Sequence, residues 1–180
     1  MTGGRGGTMK TPSDFTKEEL LAFVSDCAKN WLAHDGLWFQ EAETLFGMEA
    51  AMKLDRETWA KFTVIEAQRI MQRLGMKPGG GIPALIQALG FRLYAFINEQ
   101  EVDAVTPTSC VFRMRKCRVQ EARKRKGLPD FPCKEIGIVE YSLFARTIDP
   151  RIEAECLVCP PDRHEADTWC AWRFRIKEEK

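Results

Sequence analysis

Apolar residues in the first half of the chain recur every three or four positions, which is the spacing of one face of an α-helix. A first helix is predicted over residues 16–46, because Thr16 and Glu19 have the spacing of a capping box. A second helix is predicted over residues 48–74 and a shorter one over residues 82–89, with glycines at the breaks between them. The first half is therefore expected to be helical.

Beyond residue 90 the apolar period shortens toward two, the spacing of a β-strand with one buried face. Strands are predicted over residues 91–97, 111–115, 151–158 and 168–176, and helices over residues 118–126 and 134–147. The first two strands are expected to form an antiparallel hairpin, because a Thr-Pro-Thr-Ser turn segment lies between them. The predicted class is α+β, with long N-terminal helices packed on a C-terminal antiparallel sheet.

Length and composition are those of one globular domain, since 180 residues with a 44% hydrophobic share can bury a sizeable core. We expect a flexible tail over residues 1–13 and a single domain over residues 14–180, divided into a helical half (14–90) and a sheet half (91–180). The formal net charge of +1 gives no global field toward nucleic acid, so no nucleic-acid partner is expected. The chain has neither a membrane-length apolar stretch nor a signal peptide, which predicts a cytoplasmic protein.

Four of the seven cysteines follow a metal-site pattern in the last third of the chain. Cys156 and Cys159 are separated by two residues, so that both thiolates can reach one ion, and Cys133 and Cys170 can supply the other two ligands. Four thiolates favour tetrahedral zinc in a structural role. An iron-sulfur cluster uses the same ligands, and buried thiols without a metal are a third possibility.

A candidate ligand pocket lies on the long helices. The residues predicted to contact a small molecule are Trp31, His34, Asp35, Trp38 and Glu66. His34 and Trp38 are one helical turn apart and are expected to face a cavity and not solvent. Two alternatives remain open, a core helix whose aromatic residues simply pack, and a structural ion pair between Glu66 and Arg69 or Arg73.

Nucleophile motifs are absent, since no G-x-S-x-G, P-loop or dinucleotide-binding glycine pattern occurs. Cys117 is the best candidate thiol, because Lys116 and Arg118 flank it at the start of a helix and positive charge favours the thiolate. The alternative is an inert, buried Cys117. The basic run over residues 113–126 is interpreted as a solvated surface, with an anion site as the alternative.

Three segments carry a resemblance to a known family. The stretch Pro-Cys-Lys-Glu-Ile-Gly-Ile-Val-Glu at 132–140, the strand Arg-Ile-Glu-Ala-Glu-Cys at 151–156 and the ending Trp-Cys-Ala-Trp-Arg-Phe at 169–174 resemble the 4-vinyl reductase domain. That family is related to the zinc-containing sensory domains of phenol- and toluene-responsive activators. The resemblance implies a zinc ligand set in similar order, with Cys156 standing where those sensors have a carboxylate. The full chain also resembles bacterial cytosolic proteins, some grouped with L-2-amino-thiazoline-4-carboxylate hydrolases.

Taken together, the residues and the resemblance predict a cytoplasmic, sensor-like domain that binds a small-molecule ligand and carries a structural four-cysteine zinc site. The first alternative is a hydrolase of cyclic amidine or thiazoline carboxylic acids, with His34 or Glu66 as base or Cys117 as nucleophile. A further alternative is an adaptor that forms a homodimer through its long helices.

Overall fold

The computed structural model describes residues 10–177, so most of the predicted tail lies outside the described residues. Within that range the chain forms five α-helices and four β-strands. The helices are α1 (Lys17–Phe46), α2 (Met48–Leu74), α3 (Gly81–Leu89), α4 (Arg118–Arg125) and α5 (Lys134–Ile148). The strands are β1 (Glu99–Asp103), β2 (Ser109–Lys116), β3 (Ile152–Val158) and β4 (Cys170–Ile176).

The start of α1 is a capping box, as the sequence predicts. The backbone N–H of Glu19 donates to Thr16 Oγ1 at 3.2 Å, and the backbone N–H of Thr16 donates to Glu19 Oε2 at 2.8 Å. A single residue, Gly47, separates α1 from α2 and has φ 82°, a conformation that a side chain would strain. The two long helices therefore pack against each other directly after that turn.

The four strands form one antiparallel sheet in the order β1-β2-β4-β3. The predicted hairpin is present, but the placement of its first strand over residues 91–97 is wrong. That segment holds a 3-10 turn at Leu93–Phe96, and the strand begins at Glu99. Polar β1 is held to β2 by opposite charges, with Arg113 Nε donating to Asp103 Oδ2 at 2.7 Å. Apolar alternation misplaced the strand because an edge strand needs no apolar face.

Helix α5 lies between α2 and the sheet and completes the main core. Tyr141 of α5 packs on Trp172 of β4 with ring centroids 4.7 Å apart, and on Phe112 of β2 at 5.6 Å. Phe144 and Phe174 are fully buried in the same cluster. The structure thus confirms the α+β class, with helices packed on an antiparallel sheet.

Gly137 permits the close approach of α5 to β4. A Cβ atom at this position would lie 2.6 Å from Trp172 Cζ2 and 2.9 Å from Cη2, and the indole is buried. We predict that Gly137→Ala lowers the free energy of unfolding by about 1–3 kcal/mol, the usual cost of overpacking a core. Urea denaturation followed by circular dichroism measures the change.

Gly36 of α1 provides the matched control for that substitution. Its added Cβ would meet only Gln40 Nε2, at 3.9 Å. Gly36→Ala should therefore raise the free energy of unfolding by about 0.5–1 kcal/mol, because alanine has the higher helix propensity. Equal effects of the two substitutions would mean that the contact with Trp172 does not limit the packing of α5.

Candidate functional site

A cavity of about 330 Å³, here called the outer chamber, opens between α1, α2 and α4. Its apolar walls include Phe39 of α1, Trp59 of α2 and Phe131 of the segment before α5. Trp59 is held in place by Tyr94, on which it stacks at a centroid distance of 5.8 Å. A chamber of this volume and aromatic lining has the character of a small-molecule site.

A second cavity of about 80 Å³, the inner chamber, lies deeper between α4, α5 and the sheet. The two chambers share four lining residues, Trp59, Tyr94, Val119 and Phe131. The inner chamber has room for two or three waters at about 30 Å³ each. Its lining carries one buried N–H donor without a hydrogen-bond partner among the described residues, Asn98 Nδ2, while the indole of Trp172 is directed to the Cys170 thiol. An unpaired buried donor favours a polar occupant of this chamber.

Two carboxylates from different helices line the outer chamber. Burial raises the pKa of Asp35 on α1, and it raises the pKa of Asp55 on α2 to about 7, with the charges of Asp35 and Glu140 adding to the second shift. Neither aspartate has an ion-pair partner within residues 10–177. The charge of His34 offsets part of the rise for Asp35, and a hydrogen bond with Trp59 offsets part of the rise for Asp55. The chamber therefore contains two carboxyl groups whose ionised form burial disfavours.

A buried ion cluster closes the space behind Trp59. Arg92, 2% exposed, donates from Nε to Glu66 Oε2 at 2.9 Å, and its Nη2 forms an ion pair with Glu140 Oε1 at 2.6 Å. The guanidinium also lies 4.7 Å from the ring centroid of Phe144. Burial raises the pKa of Glu140, and the neighbouring Arg92 offsets only part of that rise. One cation thus serves two buried carboxylates.

Three of the four predicted zinc ligands lie together at the inner chamber. The sulfurs of Cys133 and Cys159 are 3.4 Å apart, and the Cys159 thiol also contacts Cys170. Hydrogen bonding to Cys133 and Cys170 raises the pKa of Cys159, whereas the hydrogen bond from Cys159 lowers the pKa of Cys170. Burial raises the pKa of Cys156 to about 11.

The cysteine cluster does not form a ready metal-binding geometry. Among residues 10–177, no group of three or more His, Cys, Asp or Glu side chains is arranged to hold an ion. A tetrahedral zinc site with bonds of about 2.3 Å keeps its sulfurs about 3.8 Å apart. The Cys133–Cys159 distance of 3.4 Å is near that value, and Cys156, half-buried like Cys133, lies close enough for the charges of Cys133 and Cys170 to raise its pKa. Zinc binding therefore stays a prediction.

The predicted pocket residues on the long helices separate into different environments. Asp35 lines the outer chamber. The expectation that His34 and Trp38 face a cavity is wrong, because His34 is exposed and Trp38 is 68% exposed. Helix α1 instead buries the stripe that contains Ala28 and Leu32, which turns His34 and Trp38 outward.

Trp31 and Glu66, also predicted to contact a ligand, have structural partners. Trp31 packs on Phe62 at 5.7 Å and on Tyr94 at 5.3 Å, outside both chamber linings. Glu66 forms an ion pair, as the alternative interpretation expects, but its partner is Arg92 and not Arg69 or Arg73. Whether either residue affects ligand binding stays untested.

Sequence reasoning missed the residues that carry most of the charge in this region. Arg92 lies in a segment predicted to be a strand, and Asp55 belongs to none of the motifs found in the sequence. Arg118 and Arg125 belonged to a basic run interpreted as surface, yet both line the outer chamber. An available signal was the density of cations on α4 opposite carboxylates on predicted core helices.

Cys117 lacks the environment of a nucleophile. It lines the inner chamber, and burial raises its pKa to about 12. We predict that iodoacetamide at pH 7.5 alkylates Cys117 far more slowly than the exposed Cys27, because less than about one thiol in ten thousand is ionised. Peptide mass spectrometry after timed quenching measures both rates. Comparable rates would restore Cys117 as a candidate nucleophile.

The long helices also bear on membrane and partner predictions. None of the helices in residues 10–177 is long and apolar enough to cross a membrane.

Helix α1 presents several large apolar side chains to solvent, including Leu37, Leu45 and Phe46. Such a surface is typical of an interaction site, and the homodimer stays a prediction.

Comparison with known proteins places this fold. One solved structure resembles it, the crystal structure of the phenol-responsive sensory domain of the transcription activator PoxR with phenol. The TM-score is 0.53 at 16% identity, over 80% of this chain and 73% of that one, so the likeness is one of fold. The expected relation to such sensory domains is confirmed at that level, whereas no curated protein matches the sequence. The model of the family of unknown function DUF6125 matches residues 13–176, and the chain belongs to that family.

Proposed function

We propose that this protein is a sensor-like domain that binds a small molecule in the outer and inner chambers. The single observation that carries the proposal is the pair of adjoining cavities between the long helices and the sheet, lined by aromatic rings and by polar groups that include the unpaired amide of Asn98. The fold shared with a sensory domain solved with phenol supports the same class of function. That domain of PoxR is described as phenol-responsive.

The position of the chambers supports a sensing role. Trp59 and Tyr94 contribute to both chambers and stack on each other, while Trp59 also lies 6.1 Å from Trp31 of α1. A ligand that displaces Trp59 would therefore change the packing of Trp31 on α1, the helix that carries the exposed apolar surface. Binding can in this way be coupled to a change at an interaction surface.

The zinc proposal is separate from the ligand proposal. The thiolates of Cys133, Cys156, Cys159 and Cys170 would hold one zinc ion that ties α5 to β3 and β4. The short Cys133–Cys159 distance supports it, and Gln120 Nε2 donates to Cys133 Sγ at 3.6 Å, as donors around thiolate ligands commonly do. Zinc here would be structural, since four protein ligands leave no open position.

The hydrolase alternative has less support. Its base candidates are apart from the chambers, because His34 is exposed and Glu66 is engaged by Arg92. Its nucleophile candidate, Cys117, has a raised pKa. No pair of these residues forms an acid–base or nucleophile–base contact within residues 10–177.

A cavity-filling variant tests the ligand proposal. Val119 lines both chambers on α4, so Val119→Trp should obstruct them. A library of small aromatic compounds should raise the melting temperature of the wild type and leave that of the variant unchanged, since only bound ligand stabilises the native state. Hits that stabilise both proteins equally would place binding elsewhere and contradict the proposal.

A further inference from the structure

The outer chamber has walls of opposite charge. Asp35 and Asp55 lie on the α1–α2 side, where burial raises the pKa of each. One lining cation on this side, Lys29, is already engaged by Asp26 at 2.9 Å. The two aspartates form no ion pair within the described residues, and the charge of His34 offsets only part of the effect of burial on Asp35. This side of the chamber therefore lacks an ion-paired cation for its desolvated carboxylates.

The α4 side is positive. Arg118 and Arg125 line the chamber, and neither side chain has an ion-pair partner within residues 10–177. Lys126 also lines it and donates only to the neutral Gln40 Oε1, at 2.7 Å. Arg123 is the exception among the cations of α4, being paired with a glutamate of α1. The cations of α4 and the two aspartates thus line the same cavity without forming an ion pair with each other.

The same cavity also has an aromatic surface. It is contributed by Phe39, Trp59, Tyr94 and Phe131. Resting on the proposed function, we infer that the ligand is a small bipolar molecule, with a protonated amine toward Asp35 and Asp55, an anionic group toward Arg118 and Arg125, and an apolar or aromatic body between. The amine of such a ligand would pair with the aspartates, its anionic group would pair with the arginines, and its body would stack on the aromatic rings. A neutral aromatic compound would leave both walls unpaired.

Four probes of nearly equal size separate the contributions of the two charges. They are 4-(aminomethyl)benzoate, 4-methylbenzylamine, 4-methylbenzoate and 4-methylbenzyl alcohol, measured by isothermal titration calorimetry at pH 8, where an aspartate with a pKa of about 7 is mostly ionised. The bipolar probe should bind most tightly. Loss of either charged group should weaken binding about tenfold or more, the usual value of a charge-assisted contact.

Matched variants assign each charge to its wall. Asp55→Asn should remove the gain in affinity that the amine gives, while leaving the affinity for 4-methylbenzoate unchanged. Arg125→Gln should remove the gain in affinity that the carboxylate gives, while leaving the affinity for 4-methylbenzylamine unchanged. Glu57→Gln, an exposed position on α2, is the control and should change neither affinity. Preservation of both advantages in both chamber variants would overturn the assignment.

Two outcomes distinguish this inference from the proposed function. If 4-methylbenzyl alcohol binds as tightly as the bipolar probe, and Val119→Trp abolishes both, the inference falls and the small-molecule site stands. If none of the four probes binds at millimolar concentration, the inference is overturned, and the library comparison between the wild type and Val119→Trp decides the function independently.

Discussion

Replacement of Arg92 by methionine should lower the free energy of unfolding by about 3–5 kcal/mol, the usual cost of removing one partner from a buried ion pair. Arg92 is 2% exposed and is the cation shared by Glu66 and Glu140, both buried. Methionine fills similar volume, so most of the loss reflects two carboxylates left without a counter-charge. Urea denaturation at pH 7 measures it, and Arg69→Met, at an exposed position on α2, should change stability by less than about 0.5 kcal/mol.

The same variant should acquire a distinctive pH dependence. Without Arg92, burial would hold the pKa of Glu140 further above the unfolded value of about 4.3, so the native state binds more protons than the unfolded state. Stability is then fully present below that unfolded pKa and is lost as pH rises through the raised native pKa of Glu140. The deficit relative to the wild type should be larger at pH 8 than at pH 5. A deficit that is equal at both pH values would contradict this account of the cluster.

Replacement of Cys159 by serine should release one zinc ion and lower the free energy of unfolding by several kcal/mol, as expected when a metal ties a fold together. Cys159 is 1% exposed and contacts Cys133 and Cys170, so it is the central thiol of the cluster. Elemental analysis gives the zinc content and urea denaturation gives the stability. The exposed Cys27, changed to serine, is the control and should affect neither quantity.

A chelator separates the loss of metal from the loss of a buried side chain. Wild-type protein treated with a strong zinc chelator should unfold near the denaturant midpoint of Cys159→Ser, while the variant should not respond to the chelator. The zinc proposal would be refuted by wild-type protein that contains no stoichiometric metal. A brown protein with sulfide-to-iron charge-transfer absorption would replace zinc by an iron-sulfur cluster.

The helices were predictable because local signals determine them. The capping box at Thr16 and the glycines at 47 and 75 mark the ends of α1 and α2 without reference to the rest of the chain. The first strand was not predictable from apolar alternation, since β1 is a polar edge held by ion pairs to β2. The residues of β2 that pair with β1 can be named only once the register of the hairpin is known.

The candidate site was harder to predict because its residues come from separate elements. Asp35 was identified from α1 alone, but which way His34 and Trp38 face depends on the stripe that α1 buries against its neighbours. Arg92 pairs with carboxylates 26 and 48 positions away, a distance over which sequence spacing carries no geometric information. Three of the four cysteines that the metal pattern groups, Cys133, Cys159 and Cys170, are in contact in the structure. Such a pattern constrains spacing as well as residue type.

Native mass spectrometry of the protein as purified tests the central claim, ligand binding in the two chambers, most directly. Wild-type protein should carry a stoichiometric, non-covalent small molecule in addition to the mass of any zinc, and Val119→Trp should lose the small molecule while keeping the metal. The identity of the released compound would then show whether it is bipolar. A small molecule retained equally by Val119→Trp, or wild-type protein that carries none, would contradict the account.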